Sequence, residues 1–219
     1  MSQKINGNIS KLEKIQIYLD TLPKVFRGEI RGLFFKQKKG LLFIGKNVKI
    51  MNSHNIKVGK NVKFESFSEI QGLASEVVKF GNNVTIGRNV QIRPSSYYGV
   101  GHIGDGVEIG DNSSIGPNGF IGCAGKVKIG NKVMIGPNVT MIAENHIFNE
   151  HGVSIKDQGV VQKGIQIDDN VWIGANVTIL DGVHVSSGVV IGANTLVTKS
   201  ISKNTLVINR FERFEKTRN

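Results

Sequence analysis

The sequence predicts an all-β chain, a parallel β-helix built from six-residue repeats. Three periodic features carry that prediction. An aliphatic residue followed by glycine returns every sixth position, as at Ile103-Gly104, Ile109-Gly110, Ile115-Gly116 and Ile121-Gly122, and the pair recurs at Ile44-Gly45, Ile86-Gly87, Ile129-Gly130, Ile173-Gly174 and Ile191-Gly192. Asparagine follows three residues after the aliphatic, at Asn47, Asn61, Asn83, Asn89, Asn112, Asn118, Asn138, Asn170, Asn176 and Asn194. Valine follows four after it, at Val48, Val62, Val84, Val90, Val107, Val133, Val139, Val171, Val177, Val183 and Val189. Self-similarity at a short fixed period is the mark of a solenoid. Asparagine and glycine tolerate a left-handed backbone and read as turns. β-Branched residues suit short strands. Each hexad is therefore one strand plus one turn. Three hexads make one coil of a triangular prism, and coils stack at about 4.8 Å. The period alone leaves the hand of the coil open, since ordinary parallel crossovers are right-handed.

Residues 1–40 lack the beat. KLEKIQIYLDTLPKVFRGEIRGLFFKQKK reads as helical, with Leu22, Val25, Phe26, Ile30, Leu33 and Phe34 in a loose apolar stripe and basic residues between them. Such a leader is expected to cap the open end of the solenoid. A basic helical segment also suits a membrane surface. Residues 41–208 form the repeat domain, with its clearest unbroken stretch from Ile167 to Val197. The phase slips near 51–57, 71–79, 93–102, 122–128 and 142–166, and the largest slip predicts a long loop inserted near 147–165. Residues 209–219 are a basic tail.

Composition narrows the class. A chain of 219 residues fits one domain with a small appendage. Only four prolines and no G-X-Y triplet exclude a collagen-like chain. The lone cysteine, Cys123, excludes an intramolecular disulfide. The polar N-terminus lacks the apolar segment of a secretory signal, and no apolar run approaches the ~18 residues of a membrane span. A cytoplasmic protein, peripheral at most at the inner face of a membrane, is expected. The net charge of +11 favours anionic partners. Nucleic acid is not expected among them, because the basic residues have little aromatic interleaving and no recognisable binding motif.

Of the five histidines, His54 falls in an early insertion, and His102 and His184 precede inward aliphatics and read as surface residues. His146 precedes Ile147, which is in phase with Met141, so it reads as projecting outward from a corner of the prism. The long loop behind it distinguishes it, since loops on rigid repeats are a usual place for function.

The run from Ile129 to Lys199, IGNKVMIGPNVTMIAENH followed later by VWIGANVTILDGVHVSSGVVIGANTLVTK, resembles the hexapeptide-repeat acyltransferases. Among them it is most similar to galactoside, maltose and polysaccharide O-acetyltransferases. The resemblance covers roughly residues 41–208 and is most specific in the last third. It implies a left-handed parallel β-helix, acetyl-CoA as donor, a homotrimer, and active sites in clefts between subunits.

Residue by residue, His146 matches the family's catalytic histidine, which takes a proton from the acceptor as it attacks the thioester carbonyl. Histidine is the side chain that titrates nearest neutral pH. Trp172 matches a tryptophan near that cleft, contributing to acceptor and cofactor sites or packing at a corner under the loop. Gly174, Ala175 and Ala193 match positions along the pantetheine arm, where small residues allow close approach. Thr198 and Lys199 match residues near the CoA phosphates. Arg213 and Lys216 fall where family basic residues approach the cofactor, although the usual proline of that turn is missing. Glu144 either orients the imidazole or solvates the loop. Asn145 and Asn118 lie on the side expected to touch the acceptor, and a turn role already accounts for Asn118.

The resemblance implies acetyl transfer to a sugar hydroxyl of a surface glycan or its precursor. N-acetylation of an amino sugar, free or nucleotide-linked, uses the same base. γ-Class carbonic anhydrases share the β-helix and use two histidines five apart, the spacing of His146 and His151. A catalytic zinc needs a third ligand, and no metal is expected here. A scaffold that has lost its chemistry is disfavoured by retention of His146, Trp172 and Lys199.

Overall fold

A computed structural model describes residues 8–94, 99 and 101–209 of the chain. Three sheets run along it, each made of strands two or three residues long and parallel to their neighbours. Sheet A runs from Gln37–Lys38 to His184–Val185, sheet B from Leu42–Ile44 to Leu206–Val207, and sheet C from Lys49–Met51 to Leu196–Val197. Each coil passes A, then B, then C, so within these three sheets consecutive strands never pair and every ladder joins one coil to the next. This is the predicted prism.

Alternation within the strands builds the core. On sheet B the inward column stacks Ile44, Phe64, Ile86, Ile115, Ile135, Ile173 and Ile191 in register, and all are buried. Burying each such side chain contributes roughly 1.5–3 kcal/mol. Near the N-terminal end the Phe64 and Phe80 rings meet edge to face at 5.0 Å. Ile103 keeps the sequence beat yet stays half-buried, because it belongs to an insertion and not to a strand.

The asparagine column behaves as expected. All ten predicted asparagines take positive φ, between 55° and 60°. They also form side-chain ladders: Asn61 donates to Asn83 and Asn83 to Asn112 at the A–B corner, while Asn89 donates to Asn118, Asn138 to Asn176 and Asn176 to Asn194 at the B–C corner. Lys132 occupies one such position at φ 56° without a side chain that can join a ladder.

The three corners are not alike. Every B–C connection has four residues, from Gly45–Val48 to Gly192–Thr195. The C–A connections vary: 52–55, 72–77, 94–106, 123–126, 143–164, 181–183 and 198–200. All five sequence slips therefore leave from one edge of the prism. The longest becomes an arm in which Asn145–His146 pairs antiparallel with Val160–Val161. Its root is tight. Ala143 donates to Gly122 O and accepts from Gly125 N, and Gly164, at φ 85°, lies where a Cβ would meet Lys126 O at 2.4 Å. Ile165 is back in the core, paired with Val127.

The expected long loop is thus present, but its stem begins before His146. Ile147 keeps the numerical phase of the coil without being part of it. Its amide bonds to Gly159 O across the arm, and its side chain is only partly buried.

The leader forms α1, Lys11–Gly32, opened by a capping box between Ser10 and Glu13. It packs against the first coil, beside Leu42–Ile44. The contact face is the basic one. Gly28 is buried so closely against Leu42 that any Cβ would overlap its carbonyl. Arg27 Nε donates to Ile44 O at 2.8 Å, Arg31 donates to Val48 O at 3.0 Å, and Lys24 pairs with Glu65 at 2.7 Å. The basic face docks because an uncovered coil edge offers oxygen acceptors. The expected apolar stripe points outward, with Leu22, Phe26, Ile30, Leu33 and Phe34 all exposed.

Candidate active site

The arm holds His146 at the C–A edge of the fifth coil. Its imidazole is exposed and has no hydrogen-bond partner among the described residues of one chain. Glu144 sits at the base of the same strand, half-buried, and accepts from Gln162 Nε2 at 3.2 Å. That contact braces the two strands of the arm, and no hydrogen bond joins Glu144 to His146. Asn145 is exposed and pairs with Val161 through the backbone. Beyond the stem, Gln158 folds the tip by bonding Glu150 and Val153. Phe148 is exposed there.

Thr198 and Lys199 follow Val197, so they stand at the same C–A edge two coils further on, and both are exposed. The Lys199 ammonium makes no ion pair among the described residues, and a lysine on that edge can hold a phosphate as a point charge.

The remaining candidates lie elsewhere. Gly174, Ala175 and Ala193 form the B–C corner, with Asn118 lower on the same corner. Sheet C separates them from the arm, and one of its three-residue strands alone spans roughly 10 Å. Glycine at 174 is explained by stacking, since a Cβ there would meet Ala193 N at 2.6 Å. Ala193 is exposed and Ala175 partly so, leaving a low surface. Asn118 is committed to its turn, at φ 60° with its side-chain oxygen taken by Asn89. Trp172 is not under the loop as one alternative had it. It lies on the open face of sheet B, 53% exposed, in register with Met134 and Val190. Arg213 and Lys216 lie outside the described residues.

One chain therefore divides the candidates into two groups on opposite edges of sheet C. His151 sits at the arm's tip, and no three metal-binding side chains converge among the described residues. Sequence reasoning did not register the Asp168–His184 pair, which sits on sheet A with Nε2 and Oδ2 3.0 Å apart and Gln166 donating to the same carboxylate. Those contacts, Gln166 first, hold the Asp168 carboxyl below its ordinary range. The strand register would have revealed it, as Gln166 and His184 are direct partners. Cys123 is fully buried beside the arm's root, and burial pushes its thiol up to about 12, so it is not a nucleophile.

Comparison with known proteins agrees with the repeat. The family profile described as bacterial transferase hexapeptide (six repeats) matches residues 164–199. A galactoside O-acetyltransferase of Lactococcus lactis is 39% identical over 69 residues, 31% of this chain and 32% of the relative. The stretches matched in curated relatives span between 21% and 32% of those proteins' own length. Among solved structures, AntD of Bacillus cereus, an N-acyltransferase crystallised with dTDP-4-amino-4,6-dideoxyglucose and coenzyme A, superposes with a TM-score of 0.54 at 17% identity, covering 84% of each chain. At that identity the likeness speaks for the fold. Residues 164–199 thus carry the bacterial transferase hexapeptide repeat, and the three parallel sheets with their asparagine-cornered hexads share the fold of AntD, a left-handed parallel β-helix.

Proposed function

We propose that the protein is an acetyltransferase that moves an acetyl group from acetyl-CoA to a sugar hydroxyl of a surface glycan or its precursor, with His146 as general base. The observation that carries this reading is the placement of His146. It stands on a braced arm with no side-chain partner among the described residues, at the edge where every insertion emerges, so its imidazole shares that edge with the connections that differ from coil to coil. Loops on a rigid frame are where acceptor specificity is built. The likeness to a galactoside O-acetyltransferase, 39% identical over 69 residues, supports sugar as acceptor.

The chemistry is direct. The acceptor hydroxyl gives its proton to His146 as its oxygen bonds to the thioester carbonyl carbon. The carbon–sulfur bond then breaks, and the imidazolium returns the proton to the departing thiolate. Glu144 supports this at one remove, by holding the arm through Gln162. Lys199 and Thr198 are the groups on the same edge suited to a donor phosphate.

The division of candidates favours a trimer. Ala175 and Ala193 cannot line a cleft with His146 of the same chain, because sheet C intervenes. A cyclic neighbour presenting its B–C corner to this C–A edge would complete one cleft, and a threefold ring would complete three. N-acetylation of an amino sugar needs the same base and the same cleft, so the acceptor alone distinguishes it.

The test follows free-thiol release from acetyl-CoA over a panel of sugars, amino sugars and nucleotide-linked sugars. His146→Ala should lower turnover by a factor of about 10²–10⁴, the usual share of a general base, with unchanged mass and fold. Near-normal turnover would remove His146 from the chemistry. A panel hit confined to amino sugars would replace the hydroxyl acceptor by an amine. A monomer in solution would remove the shared cleft.

A further inference from the structure

The face of α1 turned away from the prism is apolar along its whole length. Leu12, Ile15, Leu19, Leu22, Phe26 and Leu33 recur at helical spacing and are 79%, 54%, 64%, 62%, 68% and 81% exposed. The helix cannot roll to hide them. Its other face is held by Gly28 against Leu42, by the Lys24–Glu65 pair and by the Arg27 and Arg31 bonds to coil carbonyls. A contiguous exposed stripe of this kind marks an interaction surface.

We propose that this stripe seats the protein on a lipid bilayer bearing anionic headgroups, with α1 lying in the plane of the interface. Charge selects lipid over a second copy of the chain. Two copies meeting through this stripe would bring its flanking lysines, Lys11, Lys14 and Lys36, against those of the other copy, whereas anionic headgroups meet the opposite sign. Lys11 and Lys14 at one end of the helix and Lys36 just past the other make no ion pair among the described residues and stand where headgroups would be. The spacing also speaks against a helix-to-helix seam. Following the three–four alternation from Phe26 brings Glu29 into the seam, and Glu29 is engaged with Lys38 at 2.9 Å. On a bilayer, Glu29 stays at the flank. This inference does not rest on the proposed acetyl transfer.

Flotation of the full chain with vesicles tests it. Vesicles containing phosphatidylglycerol should carry the protein upward, and phosphatidylcholine vesicles should carry at least tenfold less. The double variant Phe26→Glu, Leu33→Glu should lose flotation at least tenfold while keeping the wild-type circular dichroism and solution mass, since both positions are exposed. A second variant, Lys11→Glu with Lys36→Glu, should lose the preference for anionic lipid while keeping the fold. Failure of the wild-type chain to float, or undiminished flotation of the first variant, would overturn the proposal. So would a wild-type mass that halves in the first variant, because the stripe would then be covered by another copy.

Discussion

Two edges of the same prism follow opposite rules. At the B–C edge each coil turns in four residues, with asparagine at positive φ in six of the seven turns and small residues nested against the coil above. At the C–A edge the connections range from three residues to twenty-two. The first edge is fixed by contacts between successive coils, so any change is felt by two coils at once. The second is free because the coil needs only the ends of each insertion, as at Ala143 and Gly164. Repetition and variation are thus assigned to different edges, and His146 lies on the variable one.

That contrast is open to direct challenge. The largest effect should come from Gly174→Val at the constant edge. Its side chain would have to enter the space held by Ala193 N and Gly192, costing about 3 kcal/mol, and denaturant unfolding would measure the loss. Asn176→Ala should cost about 1–2 kcal/mol, because alanine must hold φ 56° without the side chain that joins Asn138 and Asn194. Lys132→Asn should move the other way, raising stability by about 0.5–1 kcal/mol by relieving the same strain at the A–B edge. Replacing residues 149–157 with a short Gly-Ser turn should shift the unfolding free energy by less than about 1 kcal/mol, since loop closure depends weakly on length. A large loss there would mean that the variable edge is as constrained as the other.

The smallest effect is on pH. Backbone and side-chain donors of Asn82 hold the Asp111 carboxyl below its ordinary value of 3.8. A lowered carboxyl stabilises the fold above its unfolded value, and that contribution is lost as pH falls through the folded one. Asp111→Asn should flatten the stability profile below about pH 4 and lower stability slightly at neutrality, where the carboxylate's contribution is fully present.

Much of the constant edge was legible in the sequence. Glycine, asparagine and valine columns name the turn, the left-handed residue and the inward residue, and each was found in that role. The variable edge was legible only as slips. Phase counting misread Ile147, because an arm strand can keep a six-residue spacing by coincidence while its hydrogen bonds go to Gly159. The docking face of the leader was not read from the sequence at all. An amphipathic helix is expected to bury its apolar side, but an uncovered coil edge presents carbonyls, and Arg27 and Arg31 satisfy them. Buried Gly28 and Gly32, both on that face, were the available signal. The split of the candidate site across sheet C could not be read from spacing at all, since residues matched in one linear motif fall on different corners once the coils close.

The root of the arm has a further consequence. Measured up the prism, Ala143 and Gly164 belong to adjoining steps of one staircase, although twenty residues of chain separate them. Material added between such points lengthens the polypeptide and leaves the staircase at the same height. The C–A edge is thus a row of ports for grafted peptides, each opening beside its neighbours, and a foreign segment inserted at one port would be displayed next to segments at the others without disturbing the ladder that carries them.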